Sequence, residues 1–297
     1  MLHKEAGNKE KQDDPQYWVY DFESRMVNTE HGSVHEVDTV VAMKLYGAEQ
    51  ESFTNLEDFV RWTMTHKRTT FIAHNARSYD GWLVWQYLLN NTHERPSGLV
   101  LAGNKVMLMK YKSNKYIDSL SHVASTLEGL PSIFGLDETQ FKKGFFPYRF
   151  NTRENAGYVG PIPDASWYDP HMMKSQKKTD YNKKHGKKEE FEEWYAAQKD
   201  VVFDLNKERY DYCVSDVLIL KKAMETYRDL CIDTFHLDPL KCVTIASYCM
   251  KNFRTNFMEE ENLAVLQKDE YMISYQEHFA VVGRTRSSSI ISGPLKN

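Results

Sequence analysis

Four carboxylates and one phenol stand at spacings that suit metal-assisted cleavage of a phosphodiester. In YDFES, Asp21 and Glu23 lie two apart within an apolar, aromatic run. On a strand both side chains would leave the same face. Asp80 follows a second apolar run, TTFIAHN, and opens a helical pattern. Asp216 sits inside a long helical pattern with Tyr212 one turn before it, so phenol and carboxylate share a face. Hard divalent cations such as Mg²⁺ or Mn²⁺ take oxygen ligands, and carboxylates converging from separate elements are their usual supply. Two such ions ~3.5–4 Å apart could activate a water and stabilise the leaving 3′ oxygen of an in-line displacement. Their charge would also let several carboxylates stay ionised together. In that arrangement Tyr212 orients the attacking water and helps position the phosphate.

Each piece alone has a plainer reading. A D-x-E on a strand is more often a half-exposed edge, and Y-x-x-x-D in a helix is usually an aromatic beside a solvated acid. Asp80 could simply cap its helix through backbone N–H groups. The conjunction, in this order and on these elements, is what points to a metal site.

The elements that must position these residues follow from periodicity. YWVYDF, from Tyr17, reads as a short buried strand and Val34–Gly47 as a second strand region. NLEDFVRWTMTH places Leu56, Phe59, Val60 and Met64 on one helical face. TTFIAHN is a third strand, and YDGWLVWQYLLNN a helix opening at Asp80, where an acid suits the helix dipole. Further strands are expected at Leu99–Ala102, Val106–Tyr111 and Tyr116–Leu120. The Gly-, Pro- and Asn-rich stretch from Phe145 to Asp169 reads as irregular loop. Phe191–Ala197 is a short helix. Asn206–Leu230 is a long one, with Cys213, Val217, Leu220, Met224 and Tyr227 as its apolar stripe. Val243–Met258 forms a last amphipathic helix. Strands mixed with helices in this order imply an α/β fold with a mixed sheet.

Composition sets the outer bounds. The chain has 297 residues, 41% of them hydrophobic and 13% aromatic, enough for a proper core. No apolar run approaches the ~20 residues of a membrane span. The four cysteines, Cys213, Cys231, Cys242 and Cys249, lack paired C-x-x-C spacing and read as reduced thiols of an intracellular protein. A net charge of −4 argues against nucleic-acid binding by bulk electrostatics, but not against a grip through local contacts and bound ions. The lysine run from Lys174 to Lys188 reads as a solvated loop rather than a DNA-binding patch.

These motifs resemble those of a known family. VYDFES is similar to the first exonuclease motif of DEDDy-type nucleases, AHNARSYD to the second and YCVSDVLIL to the third. Between the last two, STLEGLPSIFGL resembles the (S/T)-L-x-x-hydrophobic motif of protein-primed family B DNA polymerases. KKGFFPYRFN resembles the segment of that subfamily that carries a lysine near the exonuclease site. FFPYRFN, WYDP and TIASYCMKNFRTNF look like segments of polymerases from linear plasmids, adenovirus-like viruses and Maverick/Polinton transposons. The resemblance runs from about Tyr17 to Met258. The palm motifs of a complete polymerase do not occur among the 297 residues, so the chain is expected to end before the palm.

The resemblance implies a ribonuclease H-like mixed β-sheet flanked by helices, with an irregular insertion and a C-terminal helical extension. The implied divisions are a tail over 1–16, the exonuclease domain over 17–230 with its insertion at about 145–190, the extension over 231–260 and a divergent tail over 261–297. Asp21, Glu23, Asp80 and Asp216 are implied as ligands of two divalent ions, Mg or Mn, and Tyr212 as the water-orienting residue. Asn75, Tyr79, Thr126 and Leu127 would hold a single-stranded DNA 3′ end, and Lys143 a phosphate near the cleaved bond. Leu127 could equally pack beneath its own helix, and Lys143 could be an ordinary surface lysine. The implied partners are single-stranded DNA and, in the parent polymerase, a terminal protein primer, with no membrane and a monomeric chain. Two alternatives stand beside a DNA exonuclease: a non-catalytic DNA- or protein-binding remnant, and a free-standing exonuclease acting on RNA.

Overall fold

A computed structural model describes residues 16–258, apart from 31, 138 and 169–180; the side chains of 28, 29, 33 and 181–188 are likewise outside the described set. The tails over 1–15 and 261–297 and residues 174–180 of the lysine run lie outside the described residues, whereas 181–188 of that run, read from the sequence as loop, are helical backbone.

Seven strands build one mixed sheet: β1 (Gln16–Thr29), β2 (Gly32–Lys44), β3 (Gln50–Phe53), β4 (Thr69–Ala73), β5 (Ser97–Ala102), β6 (Lys105–Tyr111) and β7 (Asn114–Asp118). Their spatial order is β3-β2-β1-β4-β7-β6-β5. β1 runs antiparallel to β2 but parallel to β4, and β4 parallel to β7. The outer pairs are antiparallel. Helices α1 (Leu56–Thr65) and α2 (Asp80–Asn91) cover one face; α3 (Leu130–Phe134) and α5 (Leu205–Phe235) belong to the other. A small antiparallel pair, β8 (Val159–Gly160) with β9 (Phe203–Asp204), and α4 (Tyr181–Ala197) accompany the irregular insertion. The expected α/β fold with a mixed, helix-flanked sheet is thus the observed one.

The two faces follow from strand alternation. Trp18, Tyr20 and Phe22 join Phe59, Val60, Phe71, Val84 and Leu88 in one core. Tyr17 and Val19 join Ile72, Ile117 and the α5 stripe of Cys213, Val217, Leu220, Met224 and Tyr227 in the other. Residues 21 and 23 continue the odd, α5-facing series of β1. Asp204 caps α5, accepting from the backbone N–H groups of Asn206 and Lys207 at 3.0 and 3.2 Å. Asn55 does the same for α1, accepting from Asp58 N–H at 2.8 Å.

Several boundaries differ from the periodic expectation. β1 extends well past Phe22 because β2 pairs with it as far as Thr29, a tertiary gain that polar residues permit but do not signal. β3, QESF, is largely exposed and carries no apolar alternation. The last central strand ends at Asp118, where the chain turns into a 3₁₀ segment over Ser119–Ser121. α4 starts ten residues before Phe191, over a stretch without an apolar stripe. α5 runs on to Phe235, so position 230 lies inside a continuous helix. The final helix, α6, covers Ile245–Asn256. The chain divides into compact units at Cys249/Met250. Among the described residues no helix is long and apolar enough to cross a membrane.

Candidate active site

The site lies where β1 outruns its parallel neighbour. β4 pairs with β1 only as far as Val19–Ile72, so Asp21 and Glu23 project beyond the shared ladder toward α5. On α5, Tyr212 and Asp216 occupy the same face one turn apart. Asp21, Glu23 and Asp216 each bring a carboxylate oxygen within 4.8 Å of the others. Among the described residues this is the only group of acid, histidine or cysteine side chains that close. The β1–β2 register shifts opposite Glu23 and Ser24, with Asp38 of β2 as the extra residue, and bulges are common next to sites of this kind.

Asp80 arrives from the opposite layer. The backbone reaches it through a left-handed Asn75 (φ 58°) and a 3₁₀ turn over Ala76–Ser78. A Cβ at Gly81 would come within 2.9 Å of the Ala76 carbonyl oxygen, so glycine lets the helix start against that turn. Asp80 is buried and falls outside the group of three, yet its charge is felt at Asp21. A fifth acid, Asp118, is buried too, but it caps Leu120 N–H at 2.9 Å and pairs with Arg77 at 3.3 Å. That partnering marks it as structural support for the 75–80 turn.

The electrostatics are those of crowded anions. Burial pushes the Asp21 carboxyl well above the usual carboxylate range, and the Asp216 and Asp80 charges push it further. Glu23 is raised by burial and then by Asp21 and Asp216. Asp80 is pushed up to about 7, chiefly by burial. Asp216 is raised by burial against the opposing pull of Lys143. Lys143 forms an ion pair with Asp216 Oδ2 and stands 4.9 Å from the centre of the Tyr212 ring. Asp216 Oδ1 is buried without a hydrogen-bond partner. An all-oxygen donor set, mutual repulsion and an unsatisfied buried carboxylate oxygen fit a hard divalent cation. The acidic cluster of Asp21, Glu23 and Asp216 could therefore hold a metal ion.

The other expected contacts divide. Tyr79 is half-buried, donates to Ser24 Oγ at 2.7 Å and meets the His35 ring edge to face at 5.3 Å, beside Glu23. Asn75 is exposed and accepts from Ser78 Oγ at 3.0 Å. Thr126 caps the short turn over Leu127–Gly129, its Oγ1 accepting from Gly129 N–H at 3.3 Å. Leu127 packs against the α5-side core, as the plainer reading has it. Tyr148 gave no such signal in the sequence: its hydroxyl donates to that of Tyr212 at 2.6 Å. The only hint was its place among the aromatics five residues after Lys143.

Comparison with known proteins agrees with this architecture. A probable DNA polymerase of Ascobolus immersus is 24% identical over 211 residues, covering 67% of this chain and 16% of that protein. A probable DNA polymerase of Neurospora intermedia is 23% identical over 216 residues, covering 70% and 21%. The chain thus spans about a sixth to a fifth of the length of these curated relatives. Phi29 DNA polymerase complexed with primer-template DNA shares the fold over 82% of this chain and 35% of its own, with a TM-score of 0.51 and 14% identity. The family model for DNA polymerase type B, organellar and viral, matches residues 61–276, which include Asp80, Tyr212 and Asp216 and begin after β1. On that match, which takes in well over half of its residues, the chain belongs to the organellar and viral type B DNA polymerases.

Proposed function

We propose that this chain is the 3′→5′ proofreading exonuclease region of a protein-primed family B DNA polymerase, and that it hydrolyses single-stranded or frayed DNA 3′ ends. The observation that carries this is the meeting of Asp21, Glu23 and Asp216 within 4.8 Å from a strand and a helix far apart in sequence. Family membership and a fold shared with a polymerase solved on primer-template DNA support DNA as the substrate.

Asp21, Glu23 and Asp216 would hold one divalent ion, and Asp80, approaching from the other layer, would complete the set for a second. Bound there, the ions would supply Lewis-acid polarisation of the phosphodiester and stabilise the leaving 3′ oxygen. The chain's own groups orient and bind. The Tyr212 oxygen accepts the Tyr148 proton, which leaves the Tyr212 proton free to orient a water or a phosphate oxygen. Lys143 brings a positive charge to the same carboxylate rim, where phosphates of the strand must pass. Tyr79 and His35 offer aromatic faces beside Glu23 on which a base can stack.

The test is a gel assay of 5′-labelled single-stranded DNA with Mg²⁺ or Mn²⁺, run beside a matched RNA. The expected result is a ladder of shortened DNA products, absent when Asp21→Ala and Glu23→Ala are combined. Equal cleavage by parent and double mutant would expose a contaminating nuclease and refute the assignment. Faster cleavage of RNA would favour the RNA-processing alternative.

A further inference from the structure

Arg209, Tyr212, Cys213 and Asp216 follow the i, i+3, i+4, i+7 spacing of one helix face. A charged residue in that series is unexpected, and Arg209 is 8% exposed. Its guanidinium is spent on three separate segments. Nε donates to Thr39 Oγ1 on β2 at 2.7 Å. Nη1 donates to Asn151 Oδ1 at 3.1 Å and pairs with Asp38 Oδ2 at 3.0 Å. Nη2 donates to Asn206 Oδ1 within α5 at 3.1 Å.

Two of the outward contacts, Thr39 and Asn151, lead to Glu23. Thr39 is the residue that faces Glu23 across the β1–β2 ladder. Asn151, 1% exposed, donates its Nδ2 to the Ser24 carbonyl at 3.2 Å. The ladder shifts register at the same point: Glu23 pairs with Thr39 but Ser24 with Val37, which leaves Asp38 of β2, the acid that Arg209 pairs with, as the extra residue, and an interrupted ladder must be held by other partners. Asn151 also closes the 143–151 segment, which carries Lys143 and Tyr148. One planar fork therefore spans the backbone around Glu23, the helix of Tyr212 and Asp216, and the segment of Lys143.

We propose that Arg209 is a positioning residue that sets the aim of Glu23 relative to Asp216 and Tyr212. The proposal rests on Asp21, Glu23 and Asp216 being metal ligands. Stability alone does not account for the arrangement, because a buried ion pair is commonly no better than apolar residues of similar volume. What the guanidinium adds is fixed directions toward several acceptors at once.

The test uses the full chain with Arg209→Met, Arg209→Lys and Asn151→Ala, each checked for folding by circular dichroism. Mn²⁺ affinity, read by electron paramagnetic resonance, should fall about tenfold in Arg209→Met, the size of effect seen when ligand-orienting partners are removed. The kcat on single-stranded DNA should fall about 10- to 100-fold, with KM within about threefold of the parent. Arg209→Lys keeps the charge but loses the fork and should lie between. Asn151→Ala leaves the Asp38 pair intact and should weaken Mn²⁺ binding in the same sense, so it carries the test if Arg209→Met does not fold. Unchanged Mn²⁺ affinity and kcat in folded Arg209→Lys and Asn151→Ala would overturn the proposal, as would a loss confined to melting temperature. Weakened Mn²⁺ binding in a chain that cuts no DNA would sink the nuclease function and leave the role of Arg209 standing. Cleavage indifferent to Arg209 would do the reverse.

Discussion

Asp80→Asn should stabilise the metal-free protein, and the gain should depend on pH. Asp80 is 5% exposed, and its carboxyl is raised from 3.8 to about 7, first by burial and then by the neighbouring Asp118 charge. Below about pH 4 the group is neutral in folded and unfolded chains alike. As pH rises toward 7 the unfolded chain ionises while the folded chain keeps its proton, so stability falls across that window. Above about pH 7 the whole difference is lost. At about 1.4 kcal/mol per pH unit this amounts to roughly 4 kcal/mol. Asparagine keeps the shape and cannot ionise. The variant should therefore be more stable by about 2–4 kcal/mol at pH 8 and by only about 1 kcal/mol at pH 4.5. The assay is urea unfolding in EDTA at the two pH values, followed by tryptophan fluorescence. A variant no more stable than the parent at pH 8, or a gain equal at both pH values, would refute the reasoning. Mn²⁺ should narrow the gap, because a ligand that binds the folded parent more tightly stabilises it more.

Tyr148→Phe removes the hydroxyl that donates to Tyr212 and should lower kcat on single-stranded DNA about tenfold, the worth of one hydrogen bond to a group that acts in the transition state; steady-state kinetics decide this. Mn²⁺ affinity should weaken as pH falls, because burial and mutual repulsion make Asp21 and Glu23 hold protons that an ion must displace; titration calorimetry at a series of pH values would show a flat profile if this is wrong. Leu127→Ala should cost about 1–2 kcal/mol of unfolding free energy for lost packing on the α5-side core, against about 0.5–1 kcal/mol for Thr126→Ala, which removes only a cap. Among the thiols, exposed Cys249 should be alkylated first, and buried Cys213 and Cys231 only on unfolding, as mass spectrometry of the modified chain would reveal.

Local chemistry made much of this protein legible in its sequence. Alternation in YWVYDF located β1, the apolar stripe from Cys213 to Tyr227 located α5, and the Y-x-x-x-D spacing put Tyr212 and Asp216 on one helical face, because strand and helix periods act over a few residues. The helix dipole, which favours an acid in the first turn, placed the start of α2 at Asp80. What the tertiary structure alone decided is which groups meet. The motifs group Asp80 with the other three acids, yet it comes from the opposite layer and stands outside the cluster in which their carboxylate oxygens lie within 4.8 Å of one another. β3 and the far half of β1 exist because partner strands satisfy their backbone groups, which no apolar pattern announces. Tyr148 and Arg209 look in the sequence like an aromatic in a loop and a helix-surface charge. Their partners lie 64 residues away for one and 170 and 58 for the other, and a hydrogen bond between residues so distant is set by packing, not by local sequence.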